Sequence, residues 1–195
     1  MGKKILLAEI FMRSILPPFY SFSMIERICK KKLIKKPNNK DVLWFLANLY
    51  ANYKQFKKAI NLLESIPENG KKSRSLTLLL ARAYYNLDQF EKVKELLTPK
   101  EVLFPKDHEH YYLGDSLIHL KEFEAAIYVL NNYVIYHKDS YVPFVRLGYA
   151  YYMKGSYDLA LKHYKMAMSL EPKNEEIWKS IEMCKEKAGN FGDTL

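Results

Sequence analysis

The chain has 195 residues, 49% of them hydrophobic and 27% charged, which is long enough for one continuous core rather than two domains. Its net charge of +9 is concentrated at one end: residues 1–40 hold ten Lys/Arg against Glu9 and Glu26, leaving 21 against 20 for the remainder. Cys29 and Cys184 are two lone cysteines, which suit a reducing compartment; the location expected is cytoplasmic, with peripheral attachment at a membrane as the alternative.

Residues 3–16, KKILLAEIFMRSIL, read as a short helix that is apolar on most of its circumference, with Glu9 and Arg13 paired at i,i+4 and Pro17-Pro18 ending it. The segment lacks the uninterrupted apolar run and small-residue cleavage site of a signal peptide. Glu9, Arg13 and the proline pair also argue against residues 5–25 spanning a bilayer. Ser23-Met24-Ile25-Glu26 has the form of a capping box and predicts a helix from there to about Lys36. That helix carries the basic run Lys30, Lys31, Lys32, Lys35 and Lys36. Such a run can be a solvated face, a contact for an anionic membrane surface helped by the apolar residues 5–16, or a nucleic-acid contact. The last is disfavoured because no aromatic residues are interleaved to stack bases.

The clearest organisation lies at Tyr141 to Asn174. Phe144, Leu147 and Tyr151, then Tyr157, Leu161, Tyr164 and Met168, recur at helical spacing on either side of a Lys154-Gly155-Ser156 turn, and Pro172 closes the stretch. Gly148 inside the first of these helices costs about 1 kcal/mol relative to alanine. It therefore marks a close approach of a neighbouring helix, with Ala160 expected to face it. The pattern recurs. Aromatic residues after the turn run Phe22, Phe56, Phe90, Phe123, Tyr157, Phe191, at spacings of 34, 34, 33, 34 and 34. A second row runs Ile25, Ala59, Val93, Ala126, Ala160, and a third runs Leu46-Ala47, Leu80-Ala81, Leu113-Gly114, Leu147-Gly148. Pro99 predicts a bend and an irregular stretch over 98–106. In a final helix over 175–188, Ile177, Trp178, Ile181, Cys184 and Ala188 share one side, leaving a polar cap on the other. Residues 189–195 read as a frayed tail.

On these rows the chain resembles the tetratricopeptide repeat family, whose unit is 34 residues long. Residues 141–174 match the family pattern with Phe144, Leu147, Gly148, Tyr151, Ala160, Tyr164, Ala167 and Pro172. Residues 40–73 keep Leu46, Ala47, Tyr50, Ala59 and Leu63; residues 74–106 keep Leu80, Ala81, Tyr84, Leu97 and Pro105. Residues 107–140 keep Leu113, Gly114 and Ala126 but have Lys138 where proline is expected. Residues 20–39 then fit the second helix of a degenerate first repeat, 175–190 a C-terminal capping helix, and 1–19 an apolar and basic N-terminal helix. The resemblance implies an all-α fold, a right-handed α-solenoid of antiparallel helix pairs wound into a superhelix. It also implies a non-catalytic adaptor or scaffold that takes a peptide or helix of a partner protein in its concave groove. The pentatricopeptide repeat, which binds RNA base by base, has a period one residue longer, and a basic inner face that these near-neutral repeats lack.

In the family the first helices line the groove. The matching positions here are Trp44, Asn48 and Asn52; Leu78, Arg82, Tyr85 and Asn86; His108, Tyr111, Asp115 and His119; Val145, Tyr149 and Tyr152, with Arg146 placed to meet an anionic side chain. Tyrosine and tryptophan offer large contact areas, and asparagine or arginine can satisfy an extended peptide, although tyrosines at this spacing also pack between repeats. A clamp for acidic chaperone tails is not supported: Asn48 is in place, but Trp44, Leu79, His108 and Tyr112 occupy its other positions. Other classes of answer are a scaffold that self-assembles by inserting residues 3–16 into a neighbour's groove, a membrane-surface assembly factor, and RNA binding. No phosphate loop, nucleophile elbow or catalytic carboxylate pair is present at a recognisable spacing, so no enzyme activity and no cofactor are expected. His108-Glu109-His110 has no third ligand nearby in sequence, so no metal is expected either.

Overall fold

A computed structural model of the chain describes residues 21–66, 74–98 and 109–192. The expected helix over 3–16, His108 and nearly all of the stretch 98–106 lie outside these residues. The described residues form ten helices and no strand. They are α1 (Phe22–Lys35), α2 (Lys40–Asn52), α3 (Phe56–Ser65), α4 (Arg74–Tyr85), α5 (Phe90–Leu97), α6 (Glu109–His119), α7 (Phe123–Val134), α8 (Val142–Met153), α9 (Tyr157–Leu170) and α10 (Glu175–Gly192). The all-α expectation holds. The helices group into two compact units, Met1–Asp88 and Gln89–Leu195.

The aromatic ruler has a structural meaning, because Phe22, Phe56, Phe90, Phe123 and Tyr157 each open a helix. Phe191 is the exception and lies inside α10. The turns before Phe56, Phe123 and Tyr157 are built alike. Gln55 N–H donates to Tyr50 O at 2.8 Å and Lys54 N–H to Ala51 O at 3.1 Å. The same pair of bonds is made by Glu122 and Lys121, and by Ser156 and Gly155. This is the Schellman ending, whose penultimate residue must take positive φ. Lys54 (φ 58°), Lys121 (φ 62°) and Gly155 (φ 77°) all do so, and Gly155 alone takes it without a steric penalty.

In the first unit α1 packs on α2, α2 on α3 and α3 on α4, and α2 also touches α4. Tyrosine hydroxyls fasten first helices to the second helix before them: Tyr50 donates to Glu26 Oε1 at 2.7 Å, and Tyr84 donates to Glu64. Burial and the bond to Glu26 push the Tyr50 phenol above its ordinary pKa, and the hydrogen bonds from Lys30 and Tyr50 hold Glu26 below its own. In the second unit each of α5 to α10 packs on the next, and α6 also touches α8. The matching hydroxyl there, that of Tyr151, accepts a longer bond from Asn131 Nδ2, 3.5 Å.

Gly148 is where a helix comes too close for a side chain, but the neighbour is Tyr164 rather than Ala160. A Cβ at Gly148 would lie 2.8 Å from the Tyr164 ring, and one at Gly114 would lie 2.6 Å from Leu130 Cγ. Three further expectations are corrected. The cap of α1 is Ser21, whose Oγ accepts from Met24 N–H at 3.4 Å; Ser23 is already helical, and Glu26 is engaged by Tyr50 and Lys30. Trp178 leaves the buried stripe of α10: Ile177, Ile181 and Cys184 are buried, whereas Trp178 is half exposed, its Nε1 donating to Pro172 O at 3.1 Å. Residues 189–192 continue α10 rather than fraying.

Candidate protein-binding face

The first helices carry the candidate residues, and each unit places its own set. In the first unit Asn48 Nδ2 donates to Trp44 O at 3.1 Å and Asn86 Nδ2 to Arg82 O at 2.7 Å. One N–H of each amide is therefore used on the carbonyl one helical turn back, which steadies the side chain and leaves its oxygen and second N–H for other partners. Trp44 is half buried, and its Nε1 has no acceptor among the described residues. Asn52 is exposed, and Arg82, Tyr85 and Leu78 are half buried on α4.

In the second unit the arrangement is more specific. Asp115, expected to line a groove as a surface rung, is fully buried. Arg146 from α8 brings Nε to 2.9 Å from Asp115 Oδ1, and His119 Nε2 lies 3.9 Å from Oδ2. A carboxylate withdrawn from water is unfavourable unless paired and hydrogen-bonded, so the Arg146 guanidinium is what allows Asp115 to be there. The pair ties α6 to α8. It also means that the charge of Arg146, expected to face an anionic partner, is already matched within the fold. Arg146 keeps 37% of its side chain exposed. His119 is exposed and its ring stacks on Phe90, centroids 4.1 Å apart and planes within 2°.

The tyrosines of α6 and α8 differ in exposure. Tyr149 is 41% exposed. Tyr111 is half buried, its ring 6.0 Å from Tyr112 and 6.1 Å from Tyr133. Tyr152 sets its ring edge-on to Tyr157 at 5.3 Å, and with Val145 packs against the core formed by Phe144, Tyr164 and Ile181. Tyr149 is thus open surface, while Tyr152 and Val145 are largely scaffold.

Facing residues of successive first helices reveal the Asp115–Arg146 pair, a signal that the sequence reading left unused by treating each rung separately. A second feature it missed is an apolar hollow between the C-terminal parts of α7 and α9, lined by Val134, Ile135, Phe144, Met166 and Leu170 with Lys138 and Ser169 at its polar edge. The basic run is placed on α1: Lys30, Lys31, Lys32 and Lys35 lie on the helix, Lys36 is its C-cap, and all five are exposed. Lys30 Nζ is 2.7 Å from Glu26 Oε1. Among the described residues no three His, Cys, Asp or Glu side chains cluster to hold a metal ion, and no helix is long and apolar enough to cross a membrane.

Comparison with known proteins agrees with this architecture. Family profiles described as tetratricopeptide repeat match residues 26–79 and 143–174. Among solved structures, YrrB, described as a TPR protein with an unusual peptide-binding site, aligns with a TM-score of 0.72 at 16% identity, covering 91% of this chain and 90% of that one. MamA (MSR-1) aligns with a TM-score of 0.70 at 20% identity over 80% of this chain and 90% of its own. TTC0263, a thermophilic TPR protein from Thermus thermophilus, gives 0.56 at 16% identity, covering 94% of this chain and 98% of that one. A search of curated proteins by sequence gives no match.

Proposed function

We propose that this chain, whose residues 26–79 and 143–174 match tetratricopeptide repeat profiles, is a non-catalytic adaptor of that family whose first helices take a peptide or helix of a partner protein. The observation that carries the reading is the face of α6 and α8, where exposed Tyr149 stands beside a half-exposed Arg146 fixed by a buried carboxylate. An aromatic ring loses little conformational freedom on binding, and a guanidinium already held in place loses less still. The peptide-binding site in the description of YrrB supports a peptide as the class of ligand.

Because Asp115 neutralises Arg146, a ligand on the second unit is read by aromatic contact at Tyr149, and not by a strong carboxylate pocket. A single peptide held this way binds with about micromolar strength, about 8 kcal/mol. The two buried thiols, Cys29 and Cys184, support a reducing, cytoplasmic location.

Affinity capture from a native extract tests the reading, wild type against Tyr85→Ala/Tyr149→Ala, with circular dichroism to verify that both are folded. A protein retained by the wild type and lost from the variant is the expected result. Identical captures, or a captured species that is RNA and is released steeply by salt, would overturn the proposal.

A further inference from the structure

The outer face of α1 takes no part in the binding face just described, and its composition is unusual for a solvated helix. Cys29 is buried and Phe22, Ile25 and Leu33 are partly buried, which fixes the side of α1 that packs on the fold. On the opposite side, at i, i+3, i+7, i+10 and i+11, stand Met24, Arg27, Lys31, Ile34 and Lys35. Ile34 is 82% exposed, more than any other exposed large hydrophobic residue described, and Met24 is 41% exposed. Two apolar side chains therefore project among three cations, with Lys30 and Lys32 on the flanks. The one acidic residue of the helix, Glu26, is engaged by Tyr50 and Lys30 and offsets none of the outer charges directly. The excess extends to the whole unit. Residues 1–88 carry 17 Lys/Arg against 6 Asp/Glu, net +11, and residues 89–195 carry 14 against 16, net −2.

We propose that this face of α1 docks on an anionic lipid surface, with Arg27, Lys31 and Lys35 at the level of the headgroups and Ile34 and Met24 inserted between them. Charge complementarity selects an anionic occupant, and the two apolar side chains select a bilayer among anionic occupants. An interfacial helix gains from burying such side chains at the boundary of headgroup and acyl chain, whereas a nucleic acid would be met by aromatic rings that stack bases. The outer face has no aromatic residue, and Phe22, at the start of the helix, already packs on the rings of Tyr50 and Tyr53 at 6.0 and 4.6 Å. The sequence leading into α1 is apolar and basic, KKILLAEIFMRSIL, a composition suited to the same surface. The proposal does not rest on the peptide-binding reading.

The test is co-sedimentation of the full chain with phosphatidylcholine vesicles, with and without phosphatidylserine. Three proteins are compared: wild type, Arg27→Ala/Lys31→Ala/Lys35→Ala, and Ile34→Ser. All four side chains are exposed, so the variants should melt with the wild type. The expected result is binding to phosphatidylserine vesicles alone, weakened about 100-fold by removing the three cations and about fivefold by Ile34→Ser. Absence of a phosphatidylserine preference, or a preference unchanged in both variants, overturns it. So does capture of polyuridylate or polyglutamate that depends on the cations and ignores Ile34→Ser, which would assign the face to an acidic macromolecule.

Discussion

In the first unit the position where a first helix meets its second holds Ala47 and Ala81, and in the second unit it holds Gly114 and Gly148. Both alanines are fully buried, while a Cβ at either glycine would overlap Leu130 or Tyr164. The units also differ in what they bury. His110, Asp115 and Ser116, the buried polar residues other than tyrosine among those described, all lie on α6 of the second unit. The first unit instead joins successive repeats by tyrosine hydroxyls donating to Glu26 and Glu64. The repeat thus fixes a packing geometry and a volume. How the volume is filled, and which polar tie holds one first helix to its neighbours, varies from unit to unit.

The largest effect expected from this contrast is at the ion pair. Arg146→Met should destabilise the chain by about 3 kcal/mol in urea titration, because Asp115 would be left buried without its cation. Adding Asp115→Asn should restore part of that loss, and a single variant as stable as the wild type would show that α6 and α8 are held by packing alone. Next comes the glycine. Gly148→Ala should destabilise by about 1–2 kcal/mol through overpacking against Tyr164, although alanine favours a helix, and the sign should reverse in a Tyr164→Leu background. Ala47→Gly, at the same register in the first unit, should cost about 1 kcal/mol because a Cβ fits there.

The hydroxyl ties predict a smaller difference. Tyr50→Phe removes a 2.7 Å bond to a carboxylate and should cost about 1.5 kcal/mol; Tyr151→Phe removes a 3.5 Å bond from an amide and should cost about 0.5 kcal/mol. Equal costs would mean that the two units join their repeats equally well. The smallest effect is a pH dependence confined to the second unit. Burial pushes the His163 imidazole below its ordinary value of 6.5, so the folded form stays neutral while the unfolded chain takes up a proton. Its contribution is therefore lost progressively as pH falls below about 6.5 toward the lower folded value. The drop in Tm between neutral and mildly acidic pH should be shallower in His163→Phe.

Helix pairs, their turns and the aromatic residue that opens each second helix were legible in the sequence, because they follow from a period repeated five times and from residue types that the geometry constrains. The close approach at Gly148 was legible, but its partner was not: periodicity marks which face of a helix is buried, whereas the choice between Ala160 and Tyr164 depends on the rotation of one helix against the other. The same limit explains Asp115. Its position identified the inner face of α6, but only the placement of α8 shows that Arg146 reaches it. Ser21 displaced Ser23 as the cap of α1 because two serines at that spacing give almost the same signal, and extended backbone at Ser21 decides between them.

The central claim is that partners meet the first helices, and the competing surface is the apolar hollow on the second helices of the same unit. Site-specific photocrosslinking distinguishes them, with a benzoylphenylalanine placed at Tyr149 in one protein and at Ile135, 56% exposed beside the hollow, in another. The account predicts a crosslinked partner polypeptide from position 149 and none from position 135. Crosslinking from 135 alone would contradict it and place the binding surface on the second helices.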